Sequence, residues 1–236
     1  MRRAIQASGV SINQTPPRSQ AVRSRGMTWL QLYRSDIVRY RQYRPGVSLL
    51  NLLFTNQGLW ALLEHRIASG VYDAALPALI KRPCLYALEV WQKGVEVLAG
   101  ISINCQARIG PGCYLGPQHI FIGKDAIIGA HCSISHGVTI TESGRGIQRG
   151  TPRLGDRVLI GTKAVLVGKL SVGDDAVIAP NSLIISDVSE SSVMMGVPAK
   201  CFSKAGSRDI VPPQINYPVV RDGESEYEAR SVSSTD

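Results

Sequence analysis

From residue 101 to residue 199 the chain repeats an aliphatic position every six residues. Ile103, Ile109 and Leu115 open the series, and Ile122, Ile128, Ile134 and Ile140 continue it. Leu154, Ile160, Leu166, Val172, Ile178 and Ile184 complete it. The step is six throughout, except for seven between Leu115 and Ile122 and fourteen between Ile140 and Leu154. A small residue follows in most repeats: Gly110, Gly116, Gly123, Gly129, Gly155, Gly161, Gly173 and Ala179. Amphipathic helices and half-buried strands have other periods, so a period of six belongs to neither. A short fixed repeat means stacked units, each burying its apolar residue against the next. Each unit reads as a short flat strand and a turn, three units closing one triangular coil. The aliphatic side chain points inward and stacks on its equivalent about 4.8 Å away, the spacing of paired strands. The small residue sits at the corner, where a Cβ would collide.

Upstream the spacing becomes helical. Leu30, Tyr33, Ile37 and Tyr40 keep a helical stripe behind a Thr28 cap, and Pro45-Gly46 ends it. Ser48 caps a second helix through Leu52, Leu59, Leu62 and Leu63 to Ile67, loosened near Gly58. A third begins around Pro83, a tolerated first-turn position, with the stripe Leu85, Leu88, Trp91 and Val95; Gly100 closes it. The organisation is a disordered basic tail over 1–26, a helical domain over 27–100, the repeat domain over 101–204 and a flexible tail over 205–236.

Charge changes this picture little. The net +8 includes five arginines and no acid within residues 1–26, so the remaining residues carry +3. The basicity thus owes much to one tail and does not point to nucleic acid. An acid-free, Arg-rich start also fits a transit peptide or a segment upstream of a start at Met27. The most apolar stretch, Leu49 to Leu63, is broken by polar residues and reads as no membrane span. Five cysteines without a CxxC pair read as buried free thiols in a reducing cytoplasm.

Three segments carry a specific resemblance. Arg34-Ser35-Asp36-Ile37-Val38-Arg39-Tyr40 and the stretch Gly58 to Ile67 resemble the helical N-terminal region of serine O-acetyltransferases. Met195-Gly196-Val197-Pro198-Ala199-Lys200 is similar to the end of that family's β-helix. The loop Gly144 to Arg153 resembles a branch of the family associated with polysaccharide biosynthesis. The resemblance implies a mainly β fold: a left-handed parallel β-helix preceded by a small α-helical domain. It also implies acetyl-CoA as donor, a small hydroxyl acceptor (L-serine or a serine-like compound), no metal, and a homotrimer or dimer of trimers. The family's C-terminus can seat an isoleucine in a sulfhydrylase partner; this chain ends Ser234-Thr235-Asp236, so no such complex is expected.

Acetyl transfer to a hydroxyl needs a base, and histidine titrates near the working pH. The family's catalytic histidine falls on Pro117, its supporting aspartate on Ser102, its loop histidine on Thr151, and its acidic substrate ligand has no counterpart between Asp36 and Glu64. Two histidines can substitute. His119 lies in the same turn; His136 follows Ile134 by two residues, as Pro117 follows Leu115, and so stands one coil above it. Arg145 and Arg149 on the loop extruded between Ile140 and Leu154 are candidates for a substrate carboxylate or phosphate. Gly161, Thr162 and Ala179 offer room for a pantetheine arm, and Lys200 a charge for the donor's phosphates. His65 and His131 read as structural. Other readings are a sugar O-acetyltransferase, a non-catalytic scaffold, and a metal site using His119, His131 and His136, which would need all three to converge.

Overall fold

The computed structural model describes residues 26–145 and 149–208; most of the two expected tails lies outside them. Four helices come first: α1 (Trp29–Tyr43), α2 (Leu49–Thr55), α3 (Gln57–Asp73) and α4 (Ala78–Ala99). Thr28 caps α1 as expected: its side chain accepts the Gln31 N–H, and the Gln31 side chain accepts the Thr28 N–H. The single second helix expected behind Ser48 is two, because Asn56 adopts an extended conformation between α2 and α3. The break falls just before Gly58, where any Cβ would strike the Tyr40 hydroxyl and the Leu115 backbone. Helix α4 starts at Ala78, not at Pro83. Pro83 lies inside it, exposed, where it has no N–H to give to the carbonyl of Leu79. Gly100 closes α4 in the left-handed conformation (φ 66°).

The repeats form a parallel β-helix of about five turns. Its first face stacks β1 (Ser102–Ile103), β4 (Phe121–Ile122), β7 (Thr139–Thr141), β10 (Val165–Val167) and β13 (Leu183–Ile184). Its second face stacks β2 (Arg108–Ile109), β5 (Ile127–Ile128), β8 (Arg153–Leu154) and β11 (Ser171–Val172). Its third stacks β3 (Tyr114–Leu115), β6 (Ser133–Ile134), β9 (Leu159–Ile160), β12 (Val177–Ile178) and β14 (Val193–Gly196). A last strand, β15 (Ala199–Ser203), returns antiparallel on β14. The thirteen periodic aliphatic residues are all 5% exposed or less. A second buried ladder stands two residues before each of them and includes Ala107, Cys113, Ile120, Ala126, Cys132 and Val138. Glycine at the corners is a matter of clearance: a Cβ on Gly110 would stand 2.6 Å from the carbonyl carbon of Gly129.

Two expectations need correction. Cys113 and Cys132 are buried thiols, but Cys84 and Cys201 are exposed and Cys105 half-buried. The loose tail does not begin at residue 205. Ser207 is fully buried; its N–H donates to the Asp175 carbonyl and its hydroxyl to the Arg157 carbonyl.

Helix α1 lies on the outside of the third face. Tyr40 and Tyr43 pack their rings on Tyr114, and the Tyr40 hydroxyl donates to the Leu115 carbonyl at 2.6 Å. The second face presents Arg108 and Arg153 to solvent. Helices α3 and α4 pack against β1 at the start of the first face. The outward ladder of this face runs Ser102, Phe121 (44% exposed), Thr139, Val165 and Leu183 in register, with Ile185 (59% exposed) at its rim.

Candidate active site

Strand register decides which predicted residues meet. Leu115 pairs with Ile134, Ile134 with Ile160, and Ile160 with Ile178. Two residues further along each strand, Pro117, His136, Thr162 and Pro180 therefore form a column at the corner between the third and first faces. A coil spacing of about 4.8 Å separates neighbours. Gly161 and Ala179 belong to the same corner. Lys200 lies at its far end, since β14 brings Met195 there and Met195 pairs with Lys200. His136, Gly161, Thr162, Ala179 and Lys200 thus line one edge of the prism over four successive coils.

The close stacking at this edge has a local cause. A Cβ on Gly116 would stand 2.9 Å from the His136 amide nitrogen, so only glycine there admits the coil above. Gly137, Lys163 and Asn181 each turn the corner with one left-handed residue (φ 74°, 58° and 56°). The first coil carries one residue more and turns with two, Gln118 (φ 64°) and His119 (φ 56°). His119 is tied elsewhere: its N–H donates to the Ala99 carbonyl at the end of α4, and its ring packs at Gly100. Both side chains are exposed, but His119 is held against the helical region, while His136 is held between coils, its carbonyl accepting the Lys163 N–H.

The extruded loop leaves a different corner, between the first and second faces. Ser143 and Gly150 close it as a two-residue antiparallel bridge, and the Thr151 hydroxyl donates to the Lys124 carbonyl, anchoring its return leg. Thr151, at the position of the family's loop histidine, thus makes a structural bond. Arg149 pairs with Glu142 through two hydrogen bonds (3.0 and 2.6 Å), which hold that carboxyl below its usual range. Arg145 is exposed. Neither arginine lies at the corner of His136 within one chain.

His131 stands at the third corner, buried, with its carbonyl accepting from Arg39. Three histidines on two different corners do not converge. Among the described residues, no group of three or more His, Cys, Asp or Glu side chains is placed to hold a metal ion. His65 is buried in α3, where burial and the neighbouring Arg66 push its imidazole down to about 3.

Sequence reasoning missed the device that fixes the corner between the second and third faces relative to the helices. Asp36 on α1 and Arg66 on α3 form a fully buried pair. Asp36 also accepts the Cys113 N–H (2.9 Å), and Arg66 donates to the carbonyls of Ile109 and Gly110. The charged residues were visible in the two resembling segments, but nothing in their spacing along the chain paired them.

No family model matches the chain. The chain is 32% identical over 154 residues to the serine acetyltransferase of Helicobacter pylori strain J99, covering 65% of this chain and 85% of that one. It is 29% identical to that of Synechococcus elongatus, covering 67% of this chain and 62% of the relative, so it spans about three fifths of that protein's length. Among solved structures it resembles Neisseria gonorrhoeae serine acetyltransferase in complex with serine, at 30% identity and TM-score 0.64 over 74% of this chain and 69% of that one. It also resembles the Brucella abortus enzyme in complex with coenzyme A, at 25% identity and TM-score 0.64 over 79% and 70%.

Proposed function

The chain belongs to the serine acetyltransferase family, and from that membership we propose that it moves acetyl from acetyl-CoA to the hydroxyl of L-serine or a serine-like acceptor. The observation that carries the reading is the corner column, with a histidine one coil above the position where the family has its base. Neutral His136 accepts the hydroxyl proton as the oxygen attacks the thioester carbonyl carbon. The tetrahedral intermediate collapses by breaking the C–S bond, and the thiolate takes the proton from the imidazolium. Such a base contributes roughly 10²–10⁴-fold. The donor's arm runs along Gly161, Thr162 and Ala179, and Lys200 meets its phosphates at the far end. The bound serine and coenzyme A of the solved relatives support both substrates. Five free thiols fit a reducing, cytoplasmic setting.

The first face suits an assembly contact: beyond β1 its outward ladder holds Phe121, Val165 and Leu183 beside Thr139, and it separates the histidine corner from the loop corner. Three copies that turn first faces toward a common axis make a closed ring. Each then sets its His136 corner beside the neighbour's extruded loop, with Arg145 and Arg149. The site is shared between subunits in a homotrimer, and trimers can pair further.

Pro117, Ser102 and Thr151 at family catalytic positions favour a shifted acceptor, so a sugar hydroxyl is the second reading. The test is an acceptor screen with acetyl-CoA, following thiol release. Release with L-serine supports the first reading, and release with sugars alone the second. Binding of acetyl-CoA without release on any acceptor would leave only a scaffold.

A further inference from the structure

Above the first coil, the corner between the third and first faces turns on Gly137, Lys163 and Asn181. Lys163 follows Thr162 and stands one coil above Gly137, and its N–H donates to the His136 carbonyl at 3.0 Å. Its side chain leans along the corner. A Cβ on Gly137 would stand 2.8 Å from the Lys163 Cγ but 3.5 Å from the Lys163 Cα. The stem therefore crosses the coil boundary toward the histidine's coil and away from Lys200. Gly137 leaves that space open because it brings no side chain of its own. A lysine carries its charge at the end of a flexible four-carbon stem. From this start the ammonium serves the level of His136 and the Pro117 side of it. The donor's arm comes from the opposite direction, past Ala179 and Thr162, so the Pro117 side is where the acceptor has room.

The charge of Lys163 is not spent elsewhere. Arg149 is engaged by Glu142, and Arg157 and Arg208 by Asp175. Among the described residues no carboxylate pairs with Lys163, and its side chain is exposed. A base that takes the hydroxyl proton becomes a cation, and a bare ammonium alongside opposes that charge. An anion held by the ammonium cancels the opposition. A neutral sugar brings no anion to the corner; an acceptor with a carboxylate next to its hydroxyl does. Arg145 and Arg149 reach this corner only from a neighbouring copy, whereas Lys163 belongs to the same chain and the same edge as His136.

We infer that Lys163 binds the carboxylate of the acceptor through a charge-assisted N–H···O bond and so selects hydroxy acids such as L-serine over neutral alcohols. The inference rests on the reading of the His136 corner as the site of acetyl transfer. It adds to that reading the group that recognises the acceptor. The direction of the stem separates this role from that of Lys200, which stands at the donor's far end.

The test compares L-serine with L-serinamide, which keeps the hydroxyl and the amine but has no carboxylate. Thiol release from acetyl-CoA is followed for the unsubstituted full chain, Lys163→Met and Lys163→Arg. The unsubstituted chain should prefer L-serine by about tenfold or more in kcat/KM. Lys163→Met keeps the Cβ and most of the stem, so the corner turn is undisturbed. It should lose roughly ten- to a hundredfold on L-serine, mainly in KM, as loss of a hydrogen bond to a charged group does. Its rate with L-serinamide and its KM for acetyl-CoA should stay nearly unchanged, which also reports an intact fold. Lys163→Arg should keep most of the preference. An equal fall on both acceptors would make the lysine a structural residue and overturn the inference. A preference for L-serine that persists in Lys163→Met overturns it too, as does a rise confined to the KM for acetyl-CoA, which would give the charge to the donor. Release on both acceptors without preference by the unsubstituted chain overturns this inference alone. No release on any acceptor, or release on sugars only, overturns the serine reading and this inference with it.

Discussion

The Tyr40 hydroxyl and the Leu115 backbone bond each other twice. Tyr40 donates to the Leu115 carbonyl at 2.6 Å and accepts the Leu115 N–H at 3.1 Å. Leu115 heads the corner column, so α1 is fastened to the strand that positions Pro117 and, through its register, His136. The buried Asp36–Arg66 pair fastens the same helix one strand earlier. Arg66→Met strands a buried carboxylate and should cost about 3–5 kcal/mol. The expected outcome in urea is a large loss of midpoint for Arg66→Met. The double variant Asp36→Leu/Arg66→Met should recover much of it, because both charges leave together. Equal loss in single and double variants would mean that the pair is not what holds the helix.

Neighbouring residues on α3 predict an unusual pH response. Burial pushes the Glu64 carboxyl up to about 7 and pulls the His65 imidazole down to about 3. For Glu64 the folded chain holds the extra proton, so its contribution falls as pH rises from the ordinary carboxylate range to about 7. For His65 the unfolded chain holds the extra proton, so its contribution falls as pH drops below 6.5 toward 3. The two slopes oppose through mildly acidic pH. Denaturant midpoints of the unsubstituted chain should stay level there, while those of Glu64→Gln should rise with pH. Parallel curves would show that Glu64 does not titrate in that window.

Corner glycines make a sharper prediction about the repeat. A Cβ on Gly129 would stand 2.5 Å from the Gly155 carbonyl carbon, a backbone atom that cannot swing aside. Gly129→Ala should lower stability by roughly 1–3 kcal/mol, as overpacking does. A melting temperature equal to that of the unsubstituted chain would show that the coils can spread.

The repeat was legible because each coil exposes its inward aliphatic residues at a fixed step in the sequence, and stacking needs nothing else. The coil-to-coil placement of His136 over Pro117 followed from counting three rungs per turn. What counting did not carry was the consequence for the loop. The same arithmetic puts the two ends of the loop, Glu142 and Pro152, on another corner, away from both histidines. Helix ends were less legible: Pro83 suggested a start, yet the helix begins more than a turn earlier, at Ala78, with Pro83 inside it. Trp91, 41% exposed, was misplaced because α4 carries two adjacent apolar seams, and periodicity alone does not say which of them faces the core. The Asp36–Arg66 pair joins residues thirty positions apart on separate helices and has no local signature.

If first faces meet around an axis, Phe121 lies in that contact. Phe121→Arg brings three like charges together and should reduce the ring to single subunits by light scattering. Turnover should fall with it, because the His136 corner would lose the neighbouring loop. Full turnover in a dispersed variant would show that one chain carries the whole site.

The last prediction concerns the base. His136 and His119 are both exposed near the position that Pro117 occupies, but they are held differently. His136 is fixed by strand pairing on both sides, and Gly116 is glycine so that it can stack closely. His119 is the extra residue of an irregular turn, bonded back to the end of α4. A base has to reach the attacking hydroxyl in a fixed geometry, and strand stacking supplies that where a two-residue left-handed turn does not. His136→Ala should therefore lower turnover about a hundredfold or more while leaving acetyl-CoA affinity nearly unchanged. His119→Ala should change turnover by less than tenfold. Near-normal turnover in His136→Ala would remove it from the mechanism, and near-normal turnover in both would exclude a histidine base at this corner. Pro117→His then becomes decisive. It restores the family's position one coil below, and serine acetylation in that variant would show that the remaining pocket is intact. Its continued absence would place the change in the acceptor pocket as well, where Ser102 and Thr151 already differ.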